Sequence, residues 1–349
     1  MATGYVANQT TVYYGPSTTI YPSNGSYAGP AETVDVLWRE GNWYYIEYSS
    51  GSYRKRMYIP ASAVSNISGT VSLYTPDLVT RYCGMAGNTY NGPGTSLYAV
   101  AGSVGNYEQV SALKGKKENG YMLIEYSIGG GQKKRAWYLY ADINISMGLD
   151  TLASVGSSTA TIAYNAGYKF VGRYYRRIST YASLDQAEAQ CISNAGLHVV
   201  SIFENDECPT SYFSAPNGVI DAAYVYNYAK NTVGQPAGTP IYFAIECSVT
   251  SDSLTNNITP YLTAVAQTMA SLGSTNNYSF LTGVYGCGAV CSLAISGLTT
   301  RWLAGSPLWP GSSTYKGYDI KQFSDTVSLN GTTFDLNVSK LTSGNGWQL

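Results

Sequence analysis

Charged side chains are scarce in this sequence, and their shortage excludes one class of function. Asp, Glu, Lys and Arg make up 12% of the 349 residues, where an average soluble domain has about 25%. The net charge is −1, so the chain lacks the basic surface that nucleic-acid binding requires. Two short basic clusters, at 54–56 and 133–135, are predicted to be solvated hairpin tips, and binding of an anionic polymer is the alternative.

Histidine is almost absent and the cysteines are dispersed, which narrows the choice of metal sites. His198 is the only histidine, and none of the six cysteines forms a CxxC pair. A zinc site would need Cys287 and Cys291 with two distant ligands, so most cysteines are predicted to be small buried residues. Phosphate-binding loops, dinucleotide fingerprints and calcium loops are also missing. We therefore expect no metal and no cofactor.

Long apolar runs are missing too. No run approaches the ~18 residues of a membrane-spanning helix, so none is predicted. Residues 1–5 lack a charged segment followed by an apolar one, so a secretory signal is not predicted. Export then depends on cell lysis, phage release, an injection device or a leader outside this sequence.

Tyrosine, by contrast, is abundant, with 34 residues. Its ring offers an apolar face for stacking on sugars, and its hydroxyl group offers a hydrogen bond. Tyrosine also has a high strand propensity. Binding and structural roles are therefore both open.

An internal repeat occupies the first 145 residues. The segment 13–21 recurs at 90–98, and 46–49 recurs at 124–127. In both copies a glycine-rich turn, a basic triplet and an aromatic strand follow. Each copy consists of short alternating strands separated by Gly, Pro, Asn and Ser, and roughly 55 residues of this kind predict a small all-β barrel.

The two copies define predicted domains at 1–68 and 69–146. They resemble bacterial SH3-like domains that target enzymes to the cell wall, through the Gly15-Pro16 turn, the 43–46 strand and the 58–60 segment. The resemblance implies that peptidoglycan or another ligand binds in an aromatic groove. The groove candidates, most of which equally fit a core position, are Tyr14, Tyr21, Trp43, Tyr98 and Trp137.

From residue 147 onwards, strands alternate with helical patterns. Helices are predicted at 184–195, where Ser183 is the N-cap and Gln186 completes a capping box, at 221–233 and at 258–272. Eight apolar strands predict a parallel (β/α)8 barrel of the TIM type over 147–349, and the count of eight disfavours an open doubly wound sheet. The strands are predicted at 148–150, 168–174, 198–204, 241–246, 281–285, 300–304, 319–323 and 333–337.

Four predicted strands have an acid at their carboxyl end, namely Asp150, Glu204, Glu246 and Asp335. In such a barrel these ends converge on one pocket. Cleavage of a glycosidic bond needs one carboxylic acid and one carboxylate, and crowding keeps one of them protonated. Any single acid is more simply structural, but four on one rim predict a glycosidase.

Other polar and aromatic side chains at the strand ends are predicted to bind the sugar. Among them, Arg173 is also expected to keep one acid ionised. Tyr242 and Trp302 equally fit the core. The predicted substrate-binding residues are Arg173, Tyr174, Tyr242, Tyr285, Trp302, Gln322 and Asn337.

A series of motifs runs in order through the second half, at 149–151, 170–174, 184–189, 195–197, 240–244, 283–286, 302–304 and 335–337. They resemble the glycoside-hydrolase-like domain family of unassigned function, which is related to the family 25 lysozymes, which are muramidases. The resemblance implies Glu246 as the general acid, supported by Asp150 and Asp335. Two departures bear on activity: family 25 has an acid where Ala244 stands, and the closer family usually has Asp at position 246. Glu204 is a candidate replacement for the missing acid.

Three functions fit these observations. A muramidase-like peptidoglycan hydrolase acting at the bacterial cell wall is favoured, with peptidoglycan as its partner. A non-catalytic glycan-binding protein with a degenerate barrel is the second. A papain-like cell-wall peptidase needs a Cys–His pair, and His198 lies early on its predicted strand, away from the rim. The stereochemistry of cleavage and the oligomeric state stay open.

Overall fold

The computed structural model describes residues 2–178, 181–205 and 209–349, so Cys208 lies outside the described residues. The chain divides into two units, 1–143 and 144–349. Within the described parts, no helix has both the length and the apolar character needed to cross a membrane.

The first unit contains two seven-stranded antiparallel sheets, one from each copy of the repeat. The first sheet consists of β1 (Ala2–Val6), β2 (Thr10–Tyr13), β3 (Ser23–Ala28), β4 (Glu32–Glu40), β5 (Trp43–Ser50), β6 (Tyr53–Pro60) and β7 (Ser65–Ser68). The second consists of β8 (Leu78–Cys83), β9 (Gly87–Tyr90), β10 (Val100–Val104), β11 (Gln109–Glu118), β12 (Tyr121–Gly129), β13 (Gln132–Leu139) and β14 (Ile143–Asn144). Short 3₁₀ turns lie at Ala61–Ala63 and Tyr140–Asp142.

Strand order is the same in both sheets. It is β3-β2-β6-β5-β4-β1-β7 in the first and β10-β9-β13-β12-β11-β8-β14 in the second. Each strand therefore occupies the place of its repeat equivalent. The duplication that the sequence predicts is present in the fold.

Equivalent arginines of the two copies form reciprocal ion pairs inside this unit. Arg135 donates to both carboxylate oxygens of Glu40, at 2.8 and 3.0 Å. Its equivalent Arg56 donates to Glu118, the equivalent of Glu40, at 2.7 and 2.9 Å. The side chains of Arg56 and Arg135 are only 8% and 4% exposed. The prediction of solvated hairpin tips is therefore wrong for the last residue of each basic cluster, because each pairs with an acid of the other copy.

Two tyrosines repeat the same reciprocity. The Tyr21 hydroxyl donates to Glu125 at 2.5 Å, and the equivalent Tyr98 hydroxyl donates to Glu47 at 2.9 Å. Contacts exchanged between equivalent residues are the pattern of a two-fold symmetric interface. The four groove candidates buried in this unit are Tyr14, Tyr21, Tyr98 and Trp137, whereas Trp43 is only partly buried.

We expect the Arg135→Met variant to lose about 3 kcal/mol of stability, because it leaves the Glu40 carboxylate buried without its arginine and Glu125 with only Lys133 as a cation. Denaturant unfolding of the full chain measures the loss. Lys114→Met is the matched control, since Lys114 pairs with Asp77 at the surface, where both side chains are more than half exposed. Equal effects of the two substitutions would contradict a structural role for the buried pairs.

The second unit is a closed eight-stranded barrel. Its strands are β15 (Ser146–Asp150), β16 (Phe170–Tyr175), β17 (His198–Phe203), β18 (Pro240–Ile245), β19 (Leu281–Gly286), β20 (Leu298–Leu303), β21 (Ile320–Leu329) and β22 (Thr332–Ser339). Its helices are α1 (Ser157–Asn165), α2 (Gln186–Asn194), α3 (Ala215–Asn227), α4 (Ser251–Ser253), α5 (Thr259–Asn276) and α6 (Gly288–Cys291). A 3₁₀ turn lies at Thr210–Tyr212, and π-helical segments lie at Tyr228–Val233 and Leu254–Ile258.

The last strand departs from the all-parallel prediction. β15 to β21 pair in parallel in chain order, but β22 is antiparallel to both β21 and β15. The cause is the two-residue Asn330-Gly331 turn, in which both residues have positive φ, at 52° and 78°. Such a turn joins antiparallel strands, whereas a parallel connection needs a long crossover.

The helix after β16 begins differently from its prediction. Its N-cap is Asp185, whose carboxylate accepts the Glu188 N–H at 2.8 Å. Ser183, the predicted cap, instead accepts the Arg176 N–H at 3.0 Å. The helix predicted at 221–233 starts earlier, at Ala215, and its π-helical extension ends at Gly234 in the left-handed conformation with φ of 79°. The predicted stop at Gly234 is confirmed.

Alternate residues of the strands fill the barrel. From β16 to β21, side chains two apart point inward and form a buried cluster, as strand geometry requires. The cluster consists of Phe170, Tyr174, Val200, Ile202, Tyr242, Ala244, Tyr285, Trp302, Ala304 and Ile320. The same alternation determines which strand-end residues face the pocket.

Candidate active site

The four predicted acids lie at one rim of the barrel. Asp150 is the last residue of β15, and Glu204 and Glu246 directly follow β17 and β18. These strands are parallel neighbours or next neighbours, so their carboxyl ends lie on the same side. Asp335 lies in the first half of β22 rather than at a carboxyl end. It is at the same rim because β22 is antiparallel to β15 and pairs Asp335 directly with Asp150.

Asp150 is buried beneath the rim, at 2% exposure, and three side chains donate to it. The Tyr174 hydroxyl donates to Oδ2 at 2.9 Å, and the amides of Asn337 and Gln322 donate to Oδ1 at 2.7 and 3.1 Å. The Trp302 indole N–H donates to Asn337 Oδ1 at 3.0 Å, so it orients the Asn337 amide toward Asp150. Four predicted substrate-binding residues thus position a carboxyl group, three of them directly and Trp302 through Asn337.

Gln322 joins Asp150 to Asp335. Its Nε2 also donates to Asp335 Oδ2 at 3.2 Å. Burial first, and the nearby Asp335 charge second, raise the pKa of Asp150 to about 7, although the three donors oppose the shift. Burial and the charge of Glu246 likewise raise the pKa of Asp335. Both shifts favour the protonated form of the carboxyl group concerned.

Glu204 and Glu246 form a second pair of acids on neighbouring strands. Burial first, and Glu246 second, raise the pKa of Glu204 to about 8 against the opposing charge of Arg176. Arg176 contacts Glu204 at 3.0 Å. Glu246 is exposed, and its Oε1 accepts the Tyr285 hydroxyl at 2.9 Å. Glu204 is thus largely shielded from solvent, whereas Glu246 is exposed to it.

Two depressions in the surface adjoin these pairs. Both Glu204 and Glu246 line a pocket together with Phe203, Asn205, Tyr212, Phe213, Asp221, Ala244 and Tyr261. Asp150 and Asp335 line an open cleft together with Thr151, Leu152, Ala153, Tyr181, Gly331, Thr332 and Thr333. Electrostatic coupling of Glu246 to Asp335, and of Glu204 to Asp150, connects the two pairs.

Residues 160–339 match the family described as Rv2525c-like, glycoside hydrolase-like domain. The chain belongs to this family. Among curated proteins, the uncharacterized protein FadG of Bacillus subtilis is 30% identical over 169 residues, 47% of this chain and 28% of FadG. The chain therefore spans little more than a quarter of that relative's length.

Solved structures similar to this Rv2525c-like chain include the Mycobacterium tuberculosis Tat-secreted protein Rv2525c in complex with L-tartrate. It is 23% identical, with 55% of this chain and 94% of that chain covered and a TM-score of 0.46. A bacterial lysozyme from Streptomyces coelicolor is 17% identical, with 56% and 92% covered and a TM-score of 0.38.

Two predicted substrate-binding residues lie away from the pocket of the Rv2525c-like domain. Arg173 is fully buried, forms an ion pair with Glu188 of α2, and donates to the carbonyl groups of Thr151 and Leu152. It therefore anchors the loop that follows Asp150 and pairs with none of the four acids. Tyr242 is fully buried in the barrel core, edge-on to Trp302 with ring centroids 5.5 Å apart.

Arg176, which the sequence analysis missed, is a cation of the Rv2525c-like domain that contacts one of the four rim acids, Glu204. It follows β16 and lies two residues beyond the inward-facing Tyr174. That spacing on an extended chain was the available signal, because residues two apart share a face.

In the part of the chain that the structure describes, five cysteines and His198 are the candidates for an alternative site. Cys83, Cys191, Cys247, Cys287 and Cys291 are free thiols. Within residues 2–178, 181–205 and 209–349, no group of three His, Cys, Asp or Glu side chains is arranged to hold a metal ion. His198 begins β17, at the opposite end of that strand from Glu204.

Proposed function

We propose that this chain hydrolyses glycosidic bonds of bacterial peptidoglycan in the manner of a muramidase. The supporting observation is the convergence of two carboxyl pairs, Glu204 with Glu246 and Asp150 with Asp335, at one rim. Raised pKa values of Asp150 and Glu204 keep protons available near neutral pH. We also propose that the barrel is of the (β/α)8 TIM type with its last strand reversed.

In the proposed reaction Glu246 donates its proton to the leaving glycosidic oxygen, because it is the acid that reaches solvent in the pocket. Glu204 beside it, whose raised pKa favours its protonated form near neutral pH, keeps a proton in the pair for that transfer. Asp335, half-buried and supported by Gln322, faces the positive charge that develops on the sugar ring or takes a proton from the attacking water. Asp150, which is buried next to Asp335, supports Asp335 and does not itself react with the sugar.

The alternative is a glycan-binding protein that does not hydrolyse. Ala244, which lines the pocket, leaves one acid position apolar. Asp150 is buried and accepts hydrogen bonds from three side chains, which leaves it little freedom to react. A barrel of this kind would still bind the sugar but would not catalyse hydrolysis.

Release of reducing ends from purified peptidoglycan separates these functions. We expect Glu246→Gln to lower the rate by at least ~100-fold, because Gln cannot donate the proton. Asp325→Asn, at an exposed position on β21, is the matched control and should retain the wild-type rate. Equal background release by the wild type and Glu246→Gln would exclude hydrolysis and leave the binding function.

The two sheets of the first unit are proposed to be SH3-like domains that bind the cell wall. Equivalent aromatic pairs occur at matching places, Tyr13 with Trp43 and Tyr90 with Tyr121, each edge-to-face at 5.5 and 5.9 Å. All four rings are only partly buried. Such rings can stack on sugars.

Retention of the full chain on purified cell walls tests this proposal. Replacing both Trp43 and Tyr121 with Ala should abolish most of the retention, because each domain then loses one ring of its exposed pair. Tyr53→Ala, which removes a 45% exposed tyrosine outside these pairs, should not affect it. Unchanged retention of a folded double variant would contradict binding through these rings.

A further inference from the structure

The Tyr285 hydroxyl lies between two acceptors at the rim. It is 2.9 Å from Glu246 Oε1 and 2.9 Å from Gln322 Oε1. A tyrosine hydroxyl has one proton to donate. Both contacts therefore compete for that proton.

The Gln322 amide is oriented with its oxygen, and not its NH₂ group, toward Tyr285. The Gly305 N–H donates to Oε1 at 3.0 Å, and Nε2 donates to both Asp150 and Asp335. A flipped amide would place its N–H groups against the Gly305 N–H and remove the donors from both carboxyl groups. Gln322 is thus fixed with its oxygen toward Tyr285.

The charge of Glu246 decides the competition. An ionised carboxylate is a stronger acceptor than an amide oxygen, so it takes the Tyr285 proton. Once Glu246 is neutral the two acceptors are comparable, and the hydroxyl can turn to Gln322. The titratable groups coupled to Glu246 are Glu204, Asp335, Tyr174 and Tyr285 itself, with Arg176 adjacent to Glu204.

We propose that Tyr285 is a positioning residue that couples the charge of Glu246 to the Asp150–Asp335 pair through Gln322. A hydrogen bond received at Oε1 polarises the amide and strengthens its N–H donors. While Glu246 is protonated, Gln322 then stabilises whichever of Asp150 and Asp335 is ionised. When Glu246 has given up its proton, Tyr285 turns back and stabilises the new carboxylate.

The hydroxyl proton remains on Tyr285 throughout, and only its direction changes. Burial, followed by the charge of Glu246, raises the pKa of Tyr285 well above its usual range. The ring is 1% exposed, which also shields the hydroxyl from competing water. The catalytic meaning of this coupling rests on the proposed hydrolase function, but the coupling itself does not require substrate.

Carboxyl-¹³C NMR of the glutamate-labelled full chain tests the coupling without substrate. The Glu246 resonance is identified by its loss in Glu246→Gln. We expect Tyr285→Phe to raise the Glu246 titration midpoint by about 1 pH unit, because the ionised form loses its donor. Tyr53→Phe removes a hydroxyl from an exposed tyrosine of the first unit and should leave the Glu246 midpoint in place.

Gln322→Met is expected to shift the Glu246 titration midpoint in the opposite direction. It leaves Glu246 as the single acceptor of the Tyr285 proton, so the Glu246 midpoint should fall. An unchanged midpoint in Tyr285→Phe, or a rise in Gln322→Met, overturns the coupling even if the wild type cleaves peptidoglycan. Shifts of opposite sign support the coupling even if no cleavage occurs, in which case only the proposed hydrolase function fails.

Discussion

Asp150 and Asp335 face each other across adjacent strands, and the Gln322 amide donates to both of them. Two carboxyl groups this close cannot both be ionised cheaply in a buried site, which makes their proton content responsive to neighbouring charges. The remaining polar contacts at the rim follow from this constraint. Tyr174 and Asn337 stabilise Asp150 from below, and the Gly305 N–H holds Gln322 in the one orientation that serves both acids.

Much of the barrel could be predicted from sequence, because its strands are apolar runs separated by helical patterns. The acids at their ends could be predicted for the same reason. To predict which way a strand side chain points, the alternation of residues along the strand must also be applied. Because Tyr174 faces inward, its neighbour Arg173 must face the helices, where it pairs with Glu188. The reversed last strand was also encoded locally, in the Asn330-Gly331 turn.

Other features depend on distant parts of the chain and gave no local signal. Nothing adjacent to Arg56 or Arg135 indicates that each pairs with a glutamate of the other repeat copy. The duplication itself contains the explanation, since two similar surfaces that bind each other exchange equivalent contacts. The buried groove candidates Tyr14, Tyr21, Tyr98 and Trp137 all form hydrogen bonds to the other copy, whereas the Tyr13–Trp43 and Tyr90–Tyr121 pairs stay partly exposed.

Hydrolysis by the proposed mechanism requires one sugar chain to contact both acid pairs. A crystal structure of the Glu246→Gln variant with a peptidoglycan oligosaccharide measures this directly. We predict a glycosidic oxygen within hydrogen-bond distance of residue 246, with the adjoining sugar ring against Asp335 in the open cleft. An oligosaccharide that binds the barrel away from this rim, or only to the first unit, would contradict the account.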